Sequence, residues 1–313
     1  MLSCTKEGQA IAGSPIIDLH THGIKGLDTT MADPLAMLRI AKAHGRDGAS
    51  GILLSIYPGP IEAMRLQIAS VKEAMDRQGP AANIVDRGPF LRDESPRSGR
   101  PAAILGVHLE GPFLNTARCG ALDPASFLDP SQRTFEMLVE GFERVVRIVT
   151  VAPELAGAER LIRAITRAGI AVNMGHSDAT YREAEAGFRA GARGITHLFN
   201  GMRPFHHREA GIAGLGLINR DVYVEIIGDL RHTSAETVEM VLRMKGPERI
   251  LFVSDSVRET GLSRGLVPES AEGKMLGGSM TLPKAAAMLI QRGFAEEIVM
   301  RAVTINPLEY LHA

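Results

Sequence analysis

The chain has 313 residues, 45% of them hydrophobic and only 4% aromatic, and its 35 basic and 36 acidic side chains nearly cancel. This balance argues against a nucleic-acid-binding surface or a polybasic membrane patch. The N-terminal residues contain no apolar signal core, and no run approaches the length of a membrane span. The two cysteines, Cys4 and Cys119, provide neither a disulfide framework nor a CxxC metal pair. We therefore expect a cytoplasmic protein with free thiols and an aliphatic core.

Short apolar runs rich in β-branched residues alternate with longer amphipathic stretches along the chain. The predicted strands are Ile16–Leu19, Gly51–Ser55, Ala103–Leu109, Arg147–Val151, Ile170–Met174, Gly194–Leu198, Val222–Ile227 and Ile250–Ser254. The predicted helices are Asp33–Gly45, Pro60–Gln78, Glu154–Ala168, Ala179–Ala190, Ser234–Met244 and Pro283–Gln291. Eight βα units in succession favour an α/β fold, the closed (β/α)8 TIM barrel. An open doubly wound sheet is the alternative, but its nucleotide-binding form would carry a glycine-rich fingerprint after the first strand, and none occurs there.

A barrel of this kind needs about 250 residues and would occupy most of the chain. We therefore predict one catalytic barrel domain over residues 1–313. The polar stretch Asp86–Arg100, rich in Pro, Gly and Arg, is interpreted as a surface insertion. Gly261–Lys274 is interpreted as a loop between the eighth strand and its helix.

Unusual polar residues follow the predicted strands, at the end where such barrels carry their catalytic groups. His20 and His22 follow the first strand; residues i and i+2 of an extended chain face the same way and can bind one metal ion together. Glu110 ends the apolar third strand, where an unpaired carboxylate is costly. A metal ion or a salt bridge would each remove that cost. His108, one step deeper on the same face, is interpreted as a hydrogen-bonded core residue.

Three further residues stand at the ends of later strands. His176 and His197 end the fifth and sixth strands, so both should project into the same mouth. Either can be a hydrogen-bonded buried histidine, but imidazole with carboxylate is an ordinary ligand set for zinc or iron. Asp255 ends the eighth strand, where it can exchange a proton with a metal-activated water. A helix N-cap is the alternative role for Asp255.

Seven motifs resemble those of the N-acetylglucosamine-6-phosphate deacetylases of the amidohydrolase superfamily. In chain order they are DLHTHG, GVHLEGPFLN, VAPE, GHSDATY, THLFNGMRPFHHREAG, SDS…TGL and GGSMTL. The resemblance implies that Glu110, His176 and His197 hold a principal divalent metal ion, zinc in preference to iron or another transition metal. It also implies that His20 and His22 hold a second ion in members that keep this pair, and that Asp255 is the catalytic acid and base.

The resemblance also implies the substrate contacts. His232 and Arg208 match groups that contact the sugar phosphate, and in the family the arginine reaches across a homodimer interface. The planar guanidinium group of an arginine can donate two parallel hydrogen bonds to a phosphate. The alternative for both residues is that they are ordinary polar residues of the surface. Asn200 and the backbone of Gly201 match another part of the substrate contact.

The chain departs from the family pattern at several places. Leu122 stands where the family usually has a histidine that polarises the scissile carbonyl. Ala210 replaces a usual proline, and Ser256 a usual alanine. The flanking segments that form a small β-sandwich domain in the family are predicted to be absent or vestigial.

These features predict a metal-dependent hydrolase that removes the acetyl group from an N-acetylated amino-sugar phosphate such as N-acetylglucosamine 6-phosphate. One or two metal ions, a small-molecule substrate and no nucleic acid or membrane partner are expected. An amidohydrolase for another N-acyl or cyclic amide is the alternative, which Leu122 and the expected absence of the small domain favour. A non-catalytic sugar-phosphate-binding protein is the third hypothesis, and the presence of Asp255 and of every ligand argues against it.

Overall fold

A computed structural model describes residues 15–79, 100–262, 267–271 and 273–312. Eight parallel strands are hydrogen-bonded in chain order. They are β1 (Ile17–Thr21), β2 (Gly51–Ile56), β3 (Ala103–Leu109), β4 (Val146–Val151), β5 (Ala171–Met174), β6 (Gly194–Ile195), β7 (Tyr223–Ile227) and β8 (Ile250–Val253). Thr21 pairs in parallel with Ser256, and the Asp255 amide donates to the His20 carbonyl at 2.9 Å. The first and last strands therefore meet, and the predicted (β/α)8 barrel is confirmed.

The helices surround the barrel and carry ordinary start signals. They are α1 (Pro34–Arg46), α2 (Ile61–Gln78), α3 (Gln132–Val139), α4 (Ala158–Arg167), α5 (Tyr181–Arg189), α6 (Gly211–Ile218), α7 (Ala235–Lys245), α8 (Leu282–Gln291), α9 (Glu296–Val303) and α10 (Ile305–His312). A capping box of Thr180 and Glu183 begins α5, and Asp33 caps α1 ahead of Pro34. A short antiparallel ribbon, Gly23–Ile24 with Leu27–Asp28, follows β1.

The six predicted helices are present within a few residues of their expected ends, but α3, α6, α9 and α10 are not among the predicted elements. Helix α6 has the sequence GIAGLGLI and is buried on nearly every side, so it lacks the apolar stripe that marks a surface helix. The predicted sixth strand, Gly194–Leu198, is wrong in length. It ends at Ile195, because the backbone turns into the left-handed region at His197, with φ +29°.

The core has two layers, one between the barrel and its helices and one inside the barrel. On β2 the side chains of Ile52, Leu54 and Ile56 pack in the outer layer, whereas Leu53 lies in the inner layer. This alternation follows the two-residue period of a strand. The last helix, α10, adds Leu308 to the inner layer, so the C-terminal helix closes one end of the barrel.

The predicted surface insertion Asp86–Arg100 lies outside the described residues except for Arg100, and so does Cys4. Cys119 is a free thiol. Among the residues that the structure describes, no helix has the length and apolar content needed to cross a membrane.

Candidate metal centre

Glu110, His176 and His197 converge at the mouth of the barrel, and each is nearly inaccessible to solvent. The Oε1 atom of Glu110 lies 3.1 Å from Nε2 of His176 and 2.9 Å from Nε2 of His197. The two Nε2 atoms are 3.1 Å apart. Ligand atoms around a tetrahedral ion with bonds of about 2.0 Å lie about 3.3 Å apart. The spacing of these three atoms therefore matches the edges of a tetrahedral metal site.

A second group, His20, His22 and Asp255, lies beside the first. The Nε2 atoms of His20 and His22 are 3.2 Å apart, and Asp255 Oδ1 lies 3.5 Å from the former and 3.7 Å from the latter. Glu110 Oε2 lies 3.2 Å from His22 Nε2. Glu110 Oε1 also lies 3.5 Å from His20 Nε2, so the carboxylate of Glu110 contacts both groups of side chains.

The hydrogen bonds around these rings fit a cation. Nδ1 of His176 lies 2.9 Å from the Arg118 carbonyl, which can only accept, so Nδ1 carries the hydrogen. The neutral ring then presents a lone pair at Nε2, towards Glu110 and towards Nε2 of His197. Several lone pairs aimed at one point repel each other unless a cation lies between them. The donor set present therefore fits a divalent metal ion.

His20 is held from behind by Glu225, a residue that the sequence analysis did not single out. Glu225 Oε2 lies 3.3 Å from Nδ1 of His20, and its Oε1 accepts from Asn173 at 2.7 Å. A carboxylate behind a ligating histidine fixes the tautomer that leaves Nε2 free. The signal available in the sequence was a charged residue inside the apolar strand VYVEII.

The backbone is left-handed at three of the site residues just beyond their strands. The φ angles are +45° at His176, +29° at His197 and +47° at Asp255. Non-glycine residues adopt this region at a cost in free energy, and such strain concentrates at functional sites.

The alternative role of Asp255 as a helix N-cap is not supported, because the next helix, α8, has Thr281 as its N-cap residue.

No family model matches the chain. It is 26% identical over 324 residues to N-acetylgalactosamine-6-phosphate deacetylase of Escherichia coli O157:H7, an alignment that covers 99% of this chain and 80% of that protein. It is 31% identical over 269 residues to N-acetylglucosamine-6-phosphate deacetylase of Bacillus subtilis (strain 168), covering 84% of this chain but only 63% of that protein. A variant of the N-acetyl-D-glucosamine-6-phosphate deacetylase of Mycobacterium smegmatis, solved in complex with N-acetyl-D-glucosamine-6-phosphate, superposes with a TM-score of 0.82 at 28% identity. That match covers 96% of this chain and 77% of the solved one.

The chain is thus similar over most of its length to deacetylases of N-acetylated amino-sugar phosphates.

The surroundings at the mouth of the barrel shift the pKa values of Asp255 and Glu110 in opposite directions. Burial, and then the charge of Glu110, raises the pKa of Asp255 well above its usual range. Burial also opposes ionisation of Glu110, but its contacts with the His176 and His197 side chains hold the pKa of Glu110 well below its usual range. Carboxylates whose environments separate their pKa values in this way are suited to different roles in one reaction.

The loops that carry the histidines are tied together by Glu154 of the VAPE motif. Its carboxylate accepts from the Asp178 amide at 2.6 Å, the Ser177 hydroxyl at 2.7 Å and the Asn115 side chain at 2.8 Å. These bonds join the segments that follow β3, β4 and β5. Glu154 therefore holds the loop that contains His176 in place.

His108, Asn200 and Gly201 also lie close to the cluster. The Nε2 atom of the buried His108 contacts the Thr150 hydroxyl at 2.8 Å, the kind of core hydrogen bond expected for it. Asn200 donates to the His197 carbonyl at 3.3 Å. A Cβ atom on Gly201 would lie 2.8 Å from Nδ1 of His176, so this position has room only for glycine.

The two residues expected to contact phosphate are placed differently. Nδ1 of His232 lies 3.1 Å from Asp229, and its ring lines a groove of about 460 Å³ between α6 and α7. Arg208 is exposed, and its guanidinium contacts His207 at 3.1 Å. Within the described residues of a single chain, Arg208 makes no contact with the metal cluster.

Proposed function

We propose that this protein hydrolyses the acetamide of an N-acetylated amino-sugar phosphate of the N-acetylglucosamine 6-phosphate type, with acetate and the free amine as products. The observation that carries the proposal is the convergence of six side chains from five strand ends, spaced as metal ligands are. They are His20, His22, Glu110, His176, His197 and Asp255. The names of the relatives and of the solved complex support the substrate class. The alignments with three of the curated relatives span only 57–63% of the relatives' own length.

Glu110, His176 and His197 would hold the principal ion, and His20 and His22 a second one. Their nitrogen and oxygen donors favour zinc, with iron or another transition metal as the alternative. When bound, the ion supplies Lewis acidity towards the amide carbonyl and lowers the pKa of water. Asp255 takes the proton of the attacking water on its carboxylate. It then delivers that proton to the leaving nitrogen as the C–N bond breaks.

His232, Asn200 and the Gly201 backbone would bind the sugar phosphate, with Arg208 supplied by a second copy of the chain in a homodimer. Phe205, three residues before Arg208, lies on a surface that exposes several large apolar side chains. These are Phe205, Ile218, Met240 and Met244, each at least 41% exposed. Exposed apolar area of this kind is typical of protein interfaces.

We also propose a cytoplasmic location, which is consistent with the free thiol of Cys119.

A second candidate is an amidohydrolase for another N-acyl or cyclic amide. The observation that favours it is Leu122, an apolar residue where the family histidine would polarise the carbonyl. Activity on such substrates, with none on N-acetylhexosamine phosphates, would establish this alternative.

The test combines metal analysis of the purified protein with acetate release from the N-acetylhexosamine 6-phosphates. Asp255→Asn should abolish release and keep most of the metal, since Glu110, His176 and His197 are untouched. Asp76→Asn is the matched control, because Asp76 is an exposed residue that pairs with Lys72 on the surface of α2. Full activity of Asp255→Asn would refute its acid and base role. Wild-type protein that retains no divalent ion would refute the hydrolase proposal itself.

A further inference from the structure

Tyr57 belongs to the mouth of the barrel, although no motif of the sequence draws attention to it. It follows β2, and its side chain continues the inward-facing positions of Leu53 and Ser55, because residues two apart share one face of a strand. Pro58 keeps the preceding residue extended. The inner face of β2 thus ends in a tyrosine at the rim where the other strands present their ligands.

The ring of Tyr57 lies flat against a candidate metal ligand. Its centroid is 3.8 Å from that of the His22 ring, and the planes differ by 6°. Nε2 of His22 is in turn 3.2 Å from Glu110 and 3.7 Å from Asp255. The phenol is therefore fixed beside the carboxylates at which the chemistry would occur.

The hydroxyl of Tyr57 is free to meet a substrate. Within the part of the chain that the structure describes, no hydrogen bond to this hydroxyl is present. A tyrosine hydroxyl that is removed from bulk water usually has a hydrogen-bond partner. A ligand in the mouth of the barrel would provide one.

Position 122, where the family usually has a histidine, provides no side-chain donor in this chain. The turn from Cys119 to Leu122 lies against His176, and a Cβ atom on Gly120 would be 3.5 Å from His176 Cε1. The side chain of Leu122, at the end of this turn, contains no hydrogen-bond donor. A developing oxyanion in this site needs a donor from elsewhere.

We propose that the Tyr57 hydroxyl donates a hydrogen bond to the carbonyl oxygen of the substrate amide as that oxygen becomes negatively charged. Water adds to the carbonyl carbon and its proton passes to Asp255, while Tyr57 keeps its own proton. When the C–N bond breaks, the carbonyl re-forms and Asp255 protonates the leaving nitrogen. The inference rests on the proposed hydrolysis, and it assigns the stabilising role to a residue on β2.

The test is Tyr57→Phe, which keeps the ring on His22 and removes only the hydroxyl. Loss of one oxyanion donor lowers kcat by about 10²- to 10³-fold, and we expect this with the metal content unchanged and KM altered far less. Tyr181→Phe on α5 is the matched control and should keep its kcat. Adding Leu122→His to Tyr57→Phe should restore part of the lost rate.

The outcomes are separable. If the wild type releases acetate and Tyr57→Phe keeps kcat within about twofold, the inference is overturned while the proposed function stands. The same holds if Tyr57→Phe loses metal in proportion to its activity, because Tyr57 then only supports His22. A wild type that loads metal but hydrolyses no N-acetylhexosamine phosphate overturns the proposed function and this inference with it.

Discussion

Two glycines flank the same histidine, and they permit a controlled test of how tightly His176 must be held. Gly201 and Gly120 both have left-handed backbones, with φ +54° and +60°. A Cβ atom on Gly201 would lie 2.8 Å from Nδ1 and 2.9 Å from Cε1 of His176. On Gly120 the nearest ring atom, Cε1, would lie at 3.5 Å, which is ordinary contact.

Replacement of either glycine by alanine carries the same backbone cost, about 1–2 kcal/mol for a left-handed residue. Only Gly201→Ala also displaces the ring of His176. That ring cannot turn away cheaply, because Nδ1 is bonded to the Arg118 carbonyl and Nε2 contacts Glu110. A shift of about 0.5 Å is the limit that a ligand site tolerates. We expect Gly201→Ala to weaken metal binding by about 10- to 100-fold, the loss typical when the support of a ligand is removed.

The assay is metal content after dialysis against a graded series of chelator concentrations, with denaturant unfolding to measure the shared backbone cost. Gly201→Ala should release its metal at a lower chelator concentration than Gly120→Ala, while both lose similar stability in the metal-free form. Equal metal retention by the two variants would refute the reasoning, because the close contact with His176 would then have no consequence.

Two other predictions concern buried polar residues. Glu225→Gln removes the carboxylate behind His20, so affinity for the ion at His20 and His22 should fall by about 10- to 100-fold. Stoichiometry by metal analysis should show the principal ion retained, and unchanged binding of both ions would contradict this. Burial lowers the pKa of His44 to about 4, whereas the unfolded value is about 6.5. The folded state therefore resists protonation, and the free energy of unfolding should fall by up to about 3 kcal/mol as the pH drops through this window. His44→Gln should flatten this decline in urea unfolding, and an equally steep decline would show that His44 is not its source.

The alternation of strands and helices was accessible from the sequence because it is a local property. Apolar residues recur with a period of two in a strand and of about 3.6 in a surface helix. Each pattern can be recognised without knowing which other segments pack against the element. Helix α6 was not predicted because a helix that is buried on nearly every side has no apolar stripe to detect. The six metal-cluster residues could also be proposed, because the carboxyl ends of parallel barrel strands meet at one mouth. Their spacing, and the contacts of Glu110 with both groups of side chains, could not be predicted.

The contacts of Glu225, Glu154 and Tyr57 could not be predicted from the sequence, because their partners lie at distant positions along the chain. Glu225 contacts His20 across 205 positions, and Tyr57 reaches His22 only because β1 and β2 are neighbours in the closed barrel. Local pattern determined which residue types stand at the strand ends. Only the closed tertiary structure decided which of their atoms come within 3 to 4 Å of one another, and it is at those distances that charge, hydrogen bonding and metal coordination act.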